Sequence, residues 1–87
     1  MISVLIPAYN EAERIGATLA AVRSFLHDGE IIVVDDGSSD NTAQIADASG
    51  ATCVFRQPNR GKGAALQAAL ALSQGDIILL LDADLGD

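Results

Sequence analysis

Eighty-seven residues make one small domain at most. With 49% apolar and 20% charged residues the chain is globular, neither disordered nor fibrous. Its net charge of −7, from 12 acidic and 5 basic side chains, argues against nonspecific nucleic-acid binding, whose affinity comes from neutralising phosphates.

In chain order, residues 2–7 are short and apolar and predict a strand. Asn10 then offers a helix N-cap, with Glu13 three residues on to complete a box-like motif. Ile15, Leu19, Val22 and Leu26 form one apolar helical stripe, and His27-Asp28-Gly29 ends that helix. Residues 30–35 are β-branched and predict a second strand. A loop follows at 37–40, and residues 41–49 read as a helix closed by Gly50. A third strand is predicted over 51–56. It holds the single cysteine, Cys53, so no disulfide forms within the chain, which fits a reducing compartment. After a loop at 57–63, residues 64–73 predict a third helix, with Gly75 as its stop.

Residues 77–81 form an apolar run that ends abruptly in Asp82-Ala83-Asp84. The run is too short for a membrane span, which needs roughly 20 residues. It predicts a fourth strand, buried on both faces as in a parallel sheet. The pattern is β-α-β-α-β-α-β, which implies an α/β fold with a mainly parallel four-stranded sheet and right-handed crossovers. The chain start has neither the positive segment nor the long apolar core of a signal peptide. The expected location is therefore the cytoplasm, including the periphery of a membrane.

Four motifs sit where the strands end, the ligand side of open α/β sheets. In Pro7-Ala8-Tyr9-Asn10-Glu11, Tyr9 can lie against a planar base and Glu11 can accept from a ribose hydroxyl or base amine; the plainer reading is a strand-to-helix turn. In Val34-Asp35-Asp36-Gly37-Ser38-Ser39-Asp40 three carboxylates repel one another, so something must offset them. Asp36 can accept the N–H of a nucleobase, Asp40 reads as a helix N-cap, and Asp35 fits a structural or a functional role equally. Asn59-Arg60-Gly61-Lys62-Gly63 has the composition of a phosphate loop but is no Walker motif. Lys62 there reaches a base or phosphate, or is merely solvated. Asp82 and Asp84, at i and i+2, present oxygen ligands that suit Mg²⁺ or Mn²⁺; the alternative is a pair of turn-capping carboxylates. One histidine and one cysteine argue against zinc.

In this order and spacing the four motifs resemble the N-terminal half of a family 2 glycosyltransferase with the GT-A fold, a Rossmann-like nucleotide-binding unit. The resemblance covers essentially the whole chain. Arg60-Gly61-Lys62-Gly63 and Asp82-Ala83-Asp84-Leu85 most resemble the branch that glycosylates polyprenyl (dolichyl-type) phosphates, and a branch making glucosyl-3-phosphoglycerate shares much of that wording.

The resemblance implies an inverting transferase that takes a sugar from a UDP- or GDP-sugar with Mg²⁺ or Mn²⁺. Pro7, Tyr9 and Glu11 then line the nucleoside, with Val34 and Asp36 near base and ribose and Lys62 close to the base. Asp82, Ala83 and Asp84 face the ribose and the metal-bound diphosphate, Asp84 being the first choice as metal ligand and Asp82 the second. Residues 1–87 are expected to be the donor-binding part, with the acceptor pocket and any catalytic base outside them. The acceptor is expected among such phosphates, lipid phosphate included. An unpaired last strand invites self-association. The main competing expectation is a nucleotide-sugar-binding module that performs no transfer. A nucleotidyltransferase predicts a Gly/Lys-rich loop after the first strand, where Pro7-Ala8-Tyr9-Asn10-Glu11 stands instead. A dinucleotide-binding domain fails because no G-x-G-x-x-G follows that strand.

Overall fold

A computed structural model describes residues 1–83. The elements alternate as expected: β1 (Ile2–Ala8), α1 (Ile15–Phe25), β2 (Gly29–Asp36), α2 (Thr42–Ala48), β3 (Cys53–Gln57), α3 (Lys62–Leu72) and β4 (Ile77–Leu80). All three strand pairings are parallel, in the order β3-β2-β1-β4. The order reverses between β1 and β4, because the crossover from β3 carries the chain back over β2 and β1. That reversal opens a crevice at the strand ends, the usual ligand position in such sheets.

Side-chain alternation sorts the core into two layers. Val4, Ile6, Ala8, Ile31 and Val33 face α1 and α2, where Ile15, Leu19, Val22 and Leu26 supply the predicted stripe. Leu5, Ile32 and Val34 face α3, whose Ala65 and Ala69 are fully buried. Alanine at both positions lets the helix axis come close to the sheet.

The expected burial of β4 on both faces is corrected. Ile77 is 59% and Leu80 55% exposed, and Ile78 and Leu79 are partly open. Among the described residues β4 has a partner strand on one side only, so it is an edge. An apolar groove of about 200 Å³ runs beside it, lined by Leu5, Leu66, Leu70, Ile78 and Leu80.

The first helix also starts later than expected. Asn10 does not cap it: α1 begins at Ile15, its N-cap position is Arg14, and no side chain caps it there. Asn10 instead takes a left-handed backbone, φ 53°, which asparagine tolerates better than most residues. The reason lies in the neighbouring loop. Asn10 N–H donates to Ser38 Oγ at 2.8 Å, Glu11 N–H to Thr42 Oγ1 at 2.9 Å, and Ala12 N–H to Asp40 at 3.2 Å. In return Asn10 Oδ1 accepts from Ser39 N–H at 2.8 Å. The β1 exit is thus held by the β2 exit rather than by its own helix.

At the opposite end of the strands, Glu30 accepts from Ser3 Oγ and from Gln74 N–H, both at 2.6 Å, and Gly75 N–H donates to Ser3 Oγ at 2.8 Å. A Cβ on Gly75 would stand 2.7 Å from Met1 O and 2.8 Å from Ser3 N, both backbone atoms that cannot step aside. Gly75→Ala is therefore expected to destabilise the fold by about 1–3 kcal/mol. Gly63→Ala, in α3 with open space around it, is expected to be neutral or to stabilise by up to about 1 kcal/mol. Urea unfolding of the two variants checks the contrast; equal effects would contradict the packing at Gly75.

Candidate functional site

The crevice at the β1–β4 reversal is a cleft of about 240 Å³ lined by Pro7, Ala8, Tyr9, Glu11, Asp36, Lys62, Ala65, Asp82 and Ala83. Three strand exits and one helix start supply it. β1 contributes the segment from Pro7 to Glu11, β2 ends in Asp36, α3 begins at Lys62, and Asp82 and Ala83 follow β4. Tyr9 is 51% exposed, so its ring offers a face to a ligand.

Asp36 is the most constrained polar group of the cleft, at 5% exposure. Its Oδ1 accepts from Gln57 Nε2 at 2.9 Å and from Arg60 N–H at 2.8 Å, and its Oδ2 accepts from Gly61 N–H at 2.9 Å. Asn59 Nδ2 adds a bond to the Asp36 carbonyl at 3.1 Å. Burial pushes this carboxyl towards its neutral form, but those donors, with the Arg60 charge, outweigh it and hold the pKa below the ordinary 3.8. The carboxylate thereby pins the 59–61 loop onto the end of β2. Gly61, at φ 98°, makes the left-handed turn that starts α3 and sets Lys62 on the cleft wall.

The other two carboxylates of that motif are structural. Asp40 accepts from Thr42 N–H at 3.1 Å, from the Thr42 hydroxyl and from Ala12 N–H, and the Thr42 hydroxyl bond leads the interactions that keep its pKa low. It caps the start of α2 from one residue before the N-cap position, Asn41. Asp35, 1% exposed, accepts from Ser38 N–H at 3.1 Å. Its Oδ2 has no hydrogen-bond partner among the described residues, and the Arg56 guanidinium at 3.5 Å offsets its charge. Alternation turns Asp35 to the α1–α2 face, away from the cleft.

Val34, the other β2 residue expected near the base, is fully buried beside Leu5, Ile32, Ala65 and Ala69. It shares the α3 face with Asp36 but lies two residues deeper, about 6.6 Å below the strand end. Its side chain is not on the cleft wall.

Across the cleft, Lys62 Nζ meets Asp82 Oδ1 at 2.9 Å. Both side chains are about two-thirds exposed, so the pair contributes at most about 1 kcal/mol. An ammonium group already occupies the position beside Asp82, and the carboxylate oxygens there suit a hard divalent cation. No three His, Cys, Asp or Glu side chains converge among the described residues. Mg²⁺ does not need such a cage, because one or two carboxylates with phosphate oxygens and water complete its shell. Asp84, Leu85 and Asp87 lie outside the described residues.

One positioning group escaped the sequence reading. Thr18, fully buried on α1, donates its hydroxyl to the Ala83 carbonyl at 2.6 Å and so ties the turn after β4 to the helix. A threonine beside the apolar stripe of a helix was its only signal. Ala8 and Ala65 also went unremarked, as small residues that leave room for the cleft.

With this geometry the chain belongs to glycosyl transferase family 2, whose family model matches residues 3–85. It is 39% identical over 97% of its length to the undecaprenyl-phosphate 4-deoxy-4-formamido-L-arabinose transferase of Pseudomonas fluorescens, covering 28% of that protein. It is 40% identical over 99% of its length to the glucosyl-3-phosphoglycerate synthase of Mycolicibacterium smegmatis, covering 31% of it. Glucosyl-3-phosphoglycerate synthase from Mycobacterium tuberculosis, solved with Mn²⁺, UDP and glucosyl-3-phosphoglycerate, superposes with a TM-score of 0.83 at 38% identity; the match covers 95% of this chain and 33% of that one. The same enzyme has been solved with Mg²⁺ and UDP. The fold is therefore that of the GT-A glycosyltransferases, and the chain spans about three-tenths of the length of the curated relatives it matches.

The lowered pKa values of Asp36 and Asp40 fix a sign for acid stability. A carboxylate that loses its proton more readily when folded stabilises the fold fully above its unfolded value, here 3.8, and that contribution is lost as pH falls through the lower folded value. The urea midpoint is expected to hold between about pH 7 and 5 and to fall below about pH 4. An Asp36→Asn variant is expected to show a shallower fall. A wild-type midpoint that rises towards acid would contradict the hydrogen-bond assignment.

Proposed function

We propose that residues 1–87 are the donor-binding part of a metal-dependent, inverting glycosyltransferase. The observation that carries this reading is the convergence of Tyr9, Glu11, Asp36, Lys62 and Asp82 on one cleft at the topological reversal of the sheet. Tyr9 takes the base or ribose against its ring, Asp36 accepts from the base, and Glu11 accepts from a ribose hydroxyl. Lys62 leaves Asp82 and turns its ammonium to the nucleotide. Asp82 and Asp84, as a D-x-D motif, hold Mg²⁺ or Mn²⁺ against the diphosphate. The metal supplies Lewis-acid neutralisation of the leaving diphosphate.

The donor is a UDP- or GDP-sugar and the acceptor a phosphate, a polyprenyl phosphate or phosphoglycerate, in keeping with the names of the relatives. A phosphate acceptor arrives ionised, so it needs no general base from this segment. The acceptor pocket is assigned to chain outside these residues. The place of work is the cytoplasm or the cytoplasmic face of a membrane. No helix among the described residues is long and apolar enough to cross one. The one-sided edge of β4, with its exposed Ile77 and Leu80, supports pairing between two copies of the isolated chain.

Calorimetric titration with nucleotide-sugars, with Mn²⁺ and again with chelator, tests the donor site. Binding that requires Mn²⁺ is expected, and Asp84→Ala is expected to abolish the metal dependence while leaving the unfolding midpoint nearly unchanged. Nucleotide affinity in Mn²⁺ that is the same for Asp84→Ala and wild type would overturn the ligand assignment.

A further inference from the structure

The turn after β4 is held from outside the cleft. Leu81 N–H donates to Leu5 O at 3.1 Å, which ties the end of β4 to β1. Two residues on, Ala83 is 5% exposed and belongs to the same core layer as Ile15 and Leu19. Its carbonyl accepts from the Thr18 hydroxyl at 2.6 Å. Asp82 lies between these two anchors and keeps its side chain exposed on the cleft wall.

A buried helical threonine can satisfy its hydroxyl on its own helix, at the carbonyl four residues back. Thr18 directs its proton to a turn 65 residues further along the chain. It stands on the well-packed part of α1, where Ile15, Leu19 and Val22 are fully buried. It does not line the cleft. The peptide unit that contains the Ala83 oxygen is planar, so holding that oxygen limits rotation on both sides of Ala83, towards Asp82 and into residue 84. Metal ligands bind more tightly when a rigid element already holds their backbone, because less freedom is lost on binding. The nucleoside side of the cleft has anchors of its own: the β1 exit is held by Ser38 and Thr42, and the loop before Lys62 by Asp36. Removing the Thr18 hydroxyl therefore loosens the metal side and spares the nucleoside side.

We propose that Thr18 is a positioning residue for the divalent cation: its bond to the Ala83 carbonyl holds the Asp82-Ala83-Asp84 turn in the form that takes metal, and so sets how much the cation adds to nucleotide affinity. The inference rests on the donor-site reading above and deepens its metal site.

The test is a ¹⁵N chemical-shift titration of the full chain with UDP and with GDP, each in Mg²⁺ and again in chelator, since amide shifts report weak binding as well as tight. Wild type is expected to bind at least one of the two more tightly in Mg²⁺. Thr18→Val keeps the shape and removes the hydroxyl. It is expected to lose roughly ten-fold in affinity in Mg²⁺ and to keep its affinity in chelator, the effect of removing a group that supports a metal ligand. Thr18→Ser keeps the hydroxyl and is expected to retain the Mg²⁺ effect. Urea midpoints report the fold, and Thr18→Ala replaces the valine variant should that one not fold. An equal loss with and without Mg²⁺ in a folded variant lacking the hydroxyl, or no loss at all, would overturn the inference and leave the donor site standing. So would a folded Thr18→Ser that loses the Mg²⁺ effect. Wild-type binding that Mg²⁺ does not change would overturn the metal site and the inference together. Failure of wild type to bind either nucleotide would overturn the donor-site reading, and this inference with it.

Discussion

A parallel sheet leaves unpaired backbone N–H groups where its strands end, and those groups must find acceptors when they are withdrawn from water. In this chain the acceptors come largely from the exit of β2. Ser38, Asp40 and Thr42 take the N–H groups of residues 10–12, and Asp36 takes those of Arg60 and Gly61. One loop therefore fixes the exits of its neighbours on both sides of the sheet. Two walls of the cleft, the β1 exit and the loop before Lys62, are held by the β2 exit, and Thr18 of α1 ties the third, after β4.

That constraint also accounts for the acidic sequence at 35–40. Three carboxylates so close together repel one another, and each is offset differently: Asp35 by Ser38 N–H and Arg56, Asp36 by Gln57 and two loop amides, Asp40 by Thr42 and Ala12. Only Asp36 meets the cleft. The carboxylate that lines the cleft is thus also the one that anchors a loop.

Much of this was legible in the residues, for identifiable reasons. The stripe Ile15, Leu19, Val22 and Leu26 follows the helical period, and all four are buried. The chemistry-bearing residues Tyr9, Glu11, Asp36, Lys62 and Asp82 sit at strand exits or a helix start, which local sequence marks with Pro, Gly and Asp, and the fold brings them onto one cleft. What was not legible depends on partners distant in sequence. Asn10 looks like a cap because its local spacing fits one, but contacts with Ser38 and Ser39, 28 and 29 residues away, take it into a left-handed turn. Thr18 acts on a carbonyl 65 residues further on. The apolar run of β4 reads as buried because composition cannot say which strand lies at an edge. Val34 shares a face with Asp36, and its depth in the sheet follows only from where β2 ends.

One cleft, at the reversal between β1 and β4, is the proposed seat of the nucleotide. Amide chemical-shift mapping of the ¹⁵N-labelled chain on addition of UDP with Mg²⁺ tests it most directly. The largest shifts are expected on Tyr9, Glu11, Asp36, Lys62, Asp82 and Ala83. Shifts centred instead on the shallow groove at the β3 edge, lined by Phe55, Arg56, Gln67 and Ala68, would contradict it.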